Sequence, residues 1–171
     1  SDLMTWLERA ERVRTQRRYD KNKLYALHAP EVECIGKGKA RAPYEFGVKV
    51  SIVTTNACSP GGRFVLHAAA LPGNPYDGHT LRTAIEDTQR LTGREIERVY
   101  VDKGYRGHDA PKPRRVFISG QKRGVFGAIK RELRRRSAVE PLIGHMKEQG
   151  HLGRCYLKGH AGDAANANLT A

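Results

Sequence analysis

The chain has 171 residues, 39% of them apolar, a size and composition that suit one domain or most of one and argue against wholesale disorder. Lysine and arginine number 31 against 18 aspartates and glutamates, and the resulting net charge of +13 points to a polyanionic partner. No run approaches the roughly 18 apolar residues of a membrane helix, and the opening SDLMTW lacks the basic-then-apolar order of a secretory leader.

Residues 1–22 read as a helix, because Leu3, Trp6, Leu7, Ala10 and Val13 recur at three- and four-residue spacing. Residues 23–35 read as an extended or edge segment at best, since Pro30 cannot donate to a sheet. GKGK at 36–39 is a flexible basic turn. Residues 45–54 (EFGVKVSIVT) predict one strand, with Phe46, Val48, Val50 and Ile52 on its buried face. SPGG at 59–62 is a turn signal, and 64–71 (FVLHAAAL) pairs back as a hairpin. After a second loop at 72–78, Leu81, Ile85 and Leu91 mark a helix that ends at Thr92-Gly93. Residues 96–102 predict a short strand closing on a carboxylate, and 116–119 another. A basic helix runs from 122 to about 136, and 137–149 continue or restart it. The tail from 159 to 171 is small and polar, with no closing apolar element. Hairpin, helix, strand, strand, helix is an α/β pattern with a mixed sheet.

Three widely spaced cysteines, Cys34, Cys58 and Cys155, cannot close a disulfide framework, which suits a reducing cytoplasm. Basic residues cluster at 12–23, 37–41, 112–123 and, most densely, 130–136. Four clusters favour nucleic-acid phosphates over a merely solvated face. An anionic membrane is the weaker option, since no cluster lies on a strongly apolar helix face. Neither a G-x-x-x-x-G-K-[ST] loop nor a G-x-G-x-x-G after a strand is present. No G-x-S-x-G suggests acyl transfer.

Phosphodiester chemistry by two divalent ions needs clustered carboxylates, because hard Mg²⁺ takes oxygen ligands. Asp102 closes an apolar strand, where ligands of α/β sheets collect, although a solvated strand-end aspartate is commoner. Glu140 is the second candidate. On one continuous helix Arg136 and Lys147 would lie about 40° and 20° from it, so all three would share a face. The competing reading is a capping box, Ser137-x-x-Glu140, with Pro141 in the first turn. The histidines have no recognised zinc spacing. His67, in an apolar strand, reads as a satisfied core histidine, whereas His79 and His108 follow glycines in loops near the proposed site.

The segments 24–39 (LYALHAPEVECIGKGK), 44–50 (YEFGVKV), 71–81 (LPGNPYDGHTL), 101–108 (VDKGYRGH), 118–122 (ISGQK) and 135–147 (RRSAVEPLIGHMK) resemble bacterial insertion-sequence transposases of the insertion-sequence-five family. The resemblance covers roughly residues 23 to 168 and implies a DDE catalytic core of ribonuclease-H-like fold, a mixed sheet with flanking helices. It implies Asp102 and Glu140 as the second and third catalytic acids and metal ligands. Arg136, Glu140 and Lys147 match the last three positions of the family's Tyr-x₂-Arg-x₃-Glu-x₆-Lys element. The tyrosine position is Leu133, and Lys103 stands where a small residue is usual.

The family's first acid lies on the first sheet strand, and no such strand is legible here. Asp20 does not resemble the motif, and Asp77 belongs to another one. The resemblance therefore implies a C-terminal fragment, missing the central first strand and its last helix, with residues 1–22 a linking or inserted helix and 23–171 a partial catalytic domain. For an intact relative it implies metal-dependent DNA cleavage and strand transfer with two Mg²⁺ or Mn²⁺ ions. An oligomer on insertion-sequence ends and target DNA, at the bacterial nucleoid, goes with that activity. Arg136 and Lys147 would hold phosphates, joined by Lys37, Lys39, Lys103, Arg106, Arg131 and Arg135. This chain alone is expected to be catalytically incomplete. The rival readings are a non-catalytic DNA-binding remnant and a metal-dependent nuclease on the same fold.

Overall fold

The computed structural model describes residues 3–38, 40–57, 60–113 and 115–171. Over these residues the chain is a mixed α/β fold of five α-helices and six short strands. The first helix, α1 (Leu3–Thr15), is shorter than the 1–22 predicted. Beyond Thr15 a side chain takes over the backbone's bonding. The Gln16 amide donates to the Leu24 carbonyl at 2.8 Å, and its oxygen accepts from the Leu24 N–H at 2.9 Å. The chain folds back there instead of adding a turn. No α1 residue is buried, so its apolar spacing is helical without being a packed stripe.

The single strand predicted over 45–54 is two. β1 (Glu33–Gly36) and β2 (Tyr44–Gly47) form an antiparallel ribbon with Cys34 opposite Phe46. Gly47 then takes a φ of 142°, which favours glycine. After this break β3 (Lys49–Thr54) pairs antiparallel with β4 (Val65–Leu71), Val50 opposite Ala70. The alternation runs through the break, but the two halves have different partners. Phe46, predicted to be buried, is exposed, and in β3 it is Ser51 on the other face that is buried. Period two tells which side chains share a face, not which face is covered.

Helix α2 (Leu81–Thr92) ends at Gly93, whose left-handed φ of 64° lets its N–H donate to the Gln89 carbonyl. The strands β5 (Arg98–Val101) and β6 (Arg115–Ile118) are parallel, Val101 opposite Ile118. Leu81 and Ile85 of α2 form the core with Val101, and Val99, Val116 and Ile118 pack against it. On the opposite face Tyr100 stacks on Phe117, ring centroids 5.4 Å apart, and Tyr100 donates to Glu132 of α3 (Gly127–Arg135). The parallel pair is thus covered on both faces, as parallel strands require.

A 3-10 turn, Arg136–Ala138, carries α3 into α4 (Val139–Glu148). The capping box does not form. The Ser137 hydroxyl donates back to the Arg134 carbonyl at 2.9 Å, and the backbone stays helical through the junction. Pro141 falls in the first turn of α4, where a missing N–H leaves no bond unmade.

The polar tail forms a further helix, α5 (Gly159–Leu169), which packs on β4. The residues it buries, Gly162 and Ala167, are small. Ala167 is fully buried, and a methyl added to Gly162 would lie 2.8 Å from the Leu157 backbone. The predicted single mixed sheet is not formed among the described residues: antiparallel β3–β4 and parallel β5–β6 share no strand. The described strands form three separate two-stranded sheets.

Candidate active site

Asp102 follows β5 directly, and its backbone is fixed on both sides. The Ser119 N–H donates to the Val101 carbonyl at 2.8 Å, and the Asp102 carbonyl accepts from the Tyr105 N–H at 3.2 Å. A 3-10 turn, Lys103–Tyr105, then leads the chain away and leaves the Asp102 side chain 64% exposed. Glu140, in the first turn of α4, is 69% exposed. Both carboxylates reach Arg136, whose side chain is only 15% exposed. Its Nη1 lies 3.1 Å from Asp102 Oδ1 and its Nη2 3.5 Å from Glu140 Oε1. The planar fork suits this use, because its two ends can each hold a carboxylate while the carbon stem packs away from water.

Of the three residues predicted to share a helical face, Arg136 and Glu140 meet, whereas Lys147 reaches elsewhere. Its Nζ lies 3.7 Å from Glu45 of β2, which also takes Lys37 Nζ at 2.6 Å. The Lys37 hydrogen bond, with Lys147 assisting, holds the Glu45 carboxyl below its ordinary range. Two of the residues predicted to hold phosphate therefore converge on one internal carboxylate.

The others in that predicted set are dispersed. Lys103, in the turn after Asp102, lies with its side-chain end against Gly120. Arg106 is exposed, and its carbonyl accepts the Tyr76 hydroxyl at 2.7 Å. Arg131 faces water on α3 beside exposed Lys130 and Arg134. Arg135 is half-buried and donates to the Asn56 carbonyl at 3.4 Å, while its own carbonyl accepts from Arg63, so it braces α3 against the end of β3. Lys39 lies outside the described residues.

Asp77 is nearer to this end of the fold than its place in a loop motif implied. It pairs with Lys49 at 3.0 Å. A methyl added to Gly104 would lie 2.5 Å from its carboxylate. Burial first, and then the Asp77 carboxylate, push the Tyr105 hydroxyl above its ordinary pKa. A Thr80 hydrogen bond opposes this, and Asp102 adds a smaller rise. The glycine after Asp102-Lys103 was the available signal: a side chain there would collide with an acid. Of the histidines, His79 shares the 3-10 turn Asp77–Thr80, which packs on the Lys103–Tyr105 turn after Asp102. His67 is enclosed, with Nε2 3.7 Å from Asp87, but its Nδ1 has no partner, so it is not the satisfied core residue expected. His79 packs edge-on against Tyr76, and His108 Nδ1 is also buried without a partner.

Among the described residues no three His, Cys, Asp or Glu side chains gather closely enough to hold a metal ion. Asp102 and Glu140 offer hard oxygen donors of the right type for Mg²⁺, but Arg136 already lies against both. The described residues do not bring together the ligands of a two-ion site. None of the described helices is long and apolar enough to cross a membrane. No protein-family model matches the chain, and no curated protein or solved structure matches it either.

Proposed function

We propose that this chain carries the second and third acids of a DDE-type transposase core, ribonuclease-H-like in fold and akin to the insertion-sequence-five family. In this reading it handles DNA during strand cleavage and transfer. The observation that supports it best is the meeting of Asp102 and Glu140, far apart in sequence, on one guanidinium. The order of antiparallel hairpin, helix, parallel pair and closing helices is consistent with that fold. So is the basic excess: Lys103 and Arg106 follow Asp102, and Lys130, Arg131 and Arg134 line the exposed side of the helix that precedes Glu140. Such residues bind phosphates through counterion release and do not read bases. Arg136 is then a positioning residue, and a divalent ion would have to displace it from the carboxylates.

The second reading is a DNA-binding remnant without catalysis. It is favoured by the same guanidinium, which already neutralises part of the charge of both acids, and by the lack of a third acid beside them among the described residues. A single experiment separates the two. The protein is prepared with whatever residues its gene encodes before Ser1 and given linear DNA with Mg²⁺ or Mn²⁺. Transposase activity predicts nicked and strand-transferred products that vanish in Asp102→Asn and in Glu140→Gln, while DNA affinity stays within about threefold, since neither acid supplies a phosphate contact. DNA binding with no cleavage in any metal would leave only the remnant. Cleavage that survives either substitution would refute the site.

A further inference from the structure

The ribbon of β1 and β2 sorts its side chains by face. Cys34 stands opposite Phe46 and Gly36 opposite Tyr44, whereas Ile35 stands opposite Glu45. Cross-strand partners share a face, so Tyr44 and Phe46 lie on one side of the ribbon and Glu45 on the other. The aromatic side is open to water: Tyr44 is 59% and Phe46 62% exposed. Tyr25 joins them from the preceding segment, its ring centroid 5.4 Å from that of Phe46 and its plane tilted by 47°. Burial first, and then the Cys34 and Tyr44 side chains, push the Tyr25 hydroxyl above its ordinary pKa.

Cations rim this patch, while the acids of the same stretch are engaged elsewhere. Lys23 Nζ lies 5.8 Å from the centre of the Tyr25 ring and donates to the Arg18 carbonyl at 2.8 Å. Exposed Arg41 lies in the loop that joins the two strands. Glu31 accepts from the Gly159 N–H and Glu33 from the Gly73 N–H, each at 2.6 Å, and Glu45 takes Lys37. Rings left in water beside cations suit an unpaired nucleic-acid strand, whose bases stack on aromatic faces while its phosphates meet the charges. A duplex keeps its base faces covered and has nothing to lay on the rings. Alternate side chains of a β-strand stand about 6.8 Å apart, twice the step of about 3.4 Å between stacked bases, so a strand that follows Tyr44 and Phe46 must open its stack. A second copy of this chain at the same face would bring two basic rims together.

We propose that the aromatic face of the β1–β2 ribbon binds an unpaired DNA strand, stacking bases on Tyr44, Phe46 and Tyr25 and meeting phosphates at Lys23 and Arg41. That the strand is DNA rests on the proposed function. That it is unpaired rests on the rings alone, and neither Asp102 nor Glu140 takes part.

The test uses the chain itself and three fluorescein-labelled probes read by anisotropy: an oligothymidylate of about twelve nucleotides, an abasic strand of the same length, and a blunt duplex. Oligothymidylate should bind at least about fivefold more tightly than the abasic strand, which offers the same phosphates without bases. Tyr44→Val and Phe46→Val each remove a ring and keep a strand-forming side chain. Each should weaken oligothymidylate binding about fivefold or more, while duplex binding stays within about twofold. Tyr44→Trp, which keeps an aromatic face, should bind as well as the parent. Equal binding of the abasic strand would overturn the proposal, as would valine variants that lose nothing, or that lose duplex binding equally at an unchanged urea midpoint. Oligouridylate bound about tenfold more tightly than oligothymidylate would make the ligand RNA and refute the assignment to DNA. A dimer in sedimentation that the valine variants dissociate and oligothymidylate does not would make a second copy the occupant. Loss of oligothymidylate binding once the residues encoded before Ser1 are restored would give the face to that segment instead. No arm reads cleavage or touches the acids, so failure here and failure of the proposed function are told apart.

Discussion

Replacing Arg136 with Met keeps most of the buried carbon stem and removes the charge that joins Asp102 to Glu140. In bulk water, unit charges at the observed 3.1 and 3.5 Å would attract by about 1.3 and 1.2 kcal/mol. Both carboxylates are about two-thirds exposed, so solvent screening and the ordering of three side chains take back much of this. About 0.5 kcal/mol should remain for each pair, and about 1 kcal/mol for the two together. Urea unfolding suits the measurement, because guanidinium chloride would screen the pairs. With a slope near 2 kcal/mol/M, Arg136→Met should lower the midpoint by about 0.5 M. Two double-mutant cycles, Arg136→Met with Asp102→Asn and Arg136→Met with Glu140→Gln, should each give a coupling near 0.5 kcal/mol. Both couplings should fall by about half or more in 1 M NaCl, where the screening length is about 3 Å. A coupling below about 0.2 kcal/mol for either acid would show that Arg136 does not hold the two together, and the site would have no organising residue.

Other predictions test the remaining features. Gly162→Ala should cost about 1–3 kcal/mol in the same urea assay, because its methyl would meet the Leu157 backbone at 2.8 Å and force the first turn of α5 away from the segment that leads into it. Burial, helped by the hydrogen bond to Glu132, pushes the Tyr100 hydroxyl up to about 12. Its stabilisation is therefore complete below pH 10 and lost as pH rises from about 10 to about 12. Absorbance at tyrosinate wavelengths should show a component titrating near pH 12 that Tyr100→Phe removes. Glu45→Gln should release Lys37 and Lys147 and tighten DNA binding severalfold in anisotropy. Because the Glu45 carboxyl is held below its ordinary range, its stabilisation is present above about pH 4.5 and lost as pH falls through the lowered value. Substituting Lys130, Arg131 and Arg134 together by glutamine should weaken binding at all DNA sequences alike. It should also flatten the log-affinity-against-log-salt slope by up to about 0.9 for each phosphate no longer neutralised. An unchanged slope would place the DNA on another face.

What the amino-acid sequence determined by itself is local. The helix read over 79–91, observed as α2 from Leu81 to Thr92, and its stop at Gly93 were legible because apolar spacing and a left-handed glycine are short-range signals. So were the hairpin formed by β3 and β4 and the position of Asp102 at a strand end. Tertiary structure decided what those elements meet. The alternation through 45–54 could not reveal that Gly47 hands the chain from one partner to another. The tail held no apolar stripe, because the residues that α5 buries, Gly162 and Ala167, are small. The spacing Arg136, Glu140, Lys147 proposed one face, yet Glu45 from a distant ribbon claims Lys147. The joining of Asp102 to Glu140 through Arg136, and the meeting of Tyr25 with Phe46, likewise exist only in the folded chain. Contacts between residues far apart in sequence depend on how faces pack, and a one-dimensional pattern carries periodicity and breaks but not the partner on the other side.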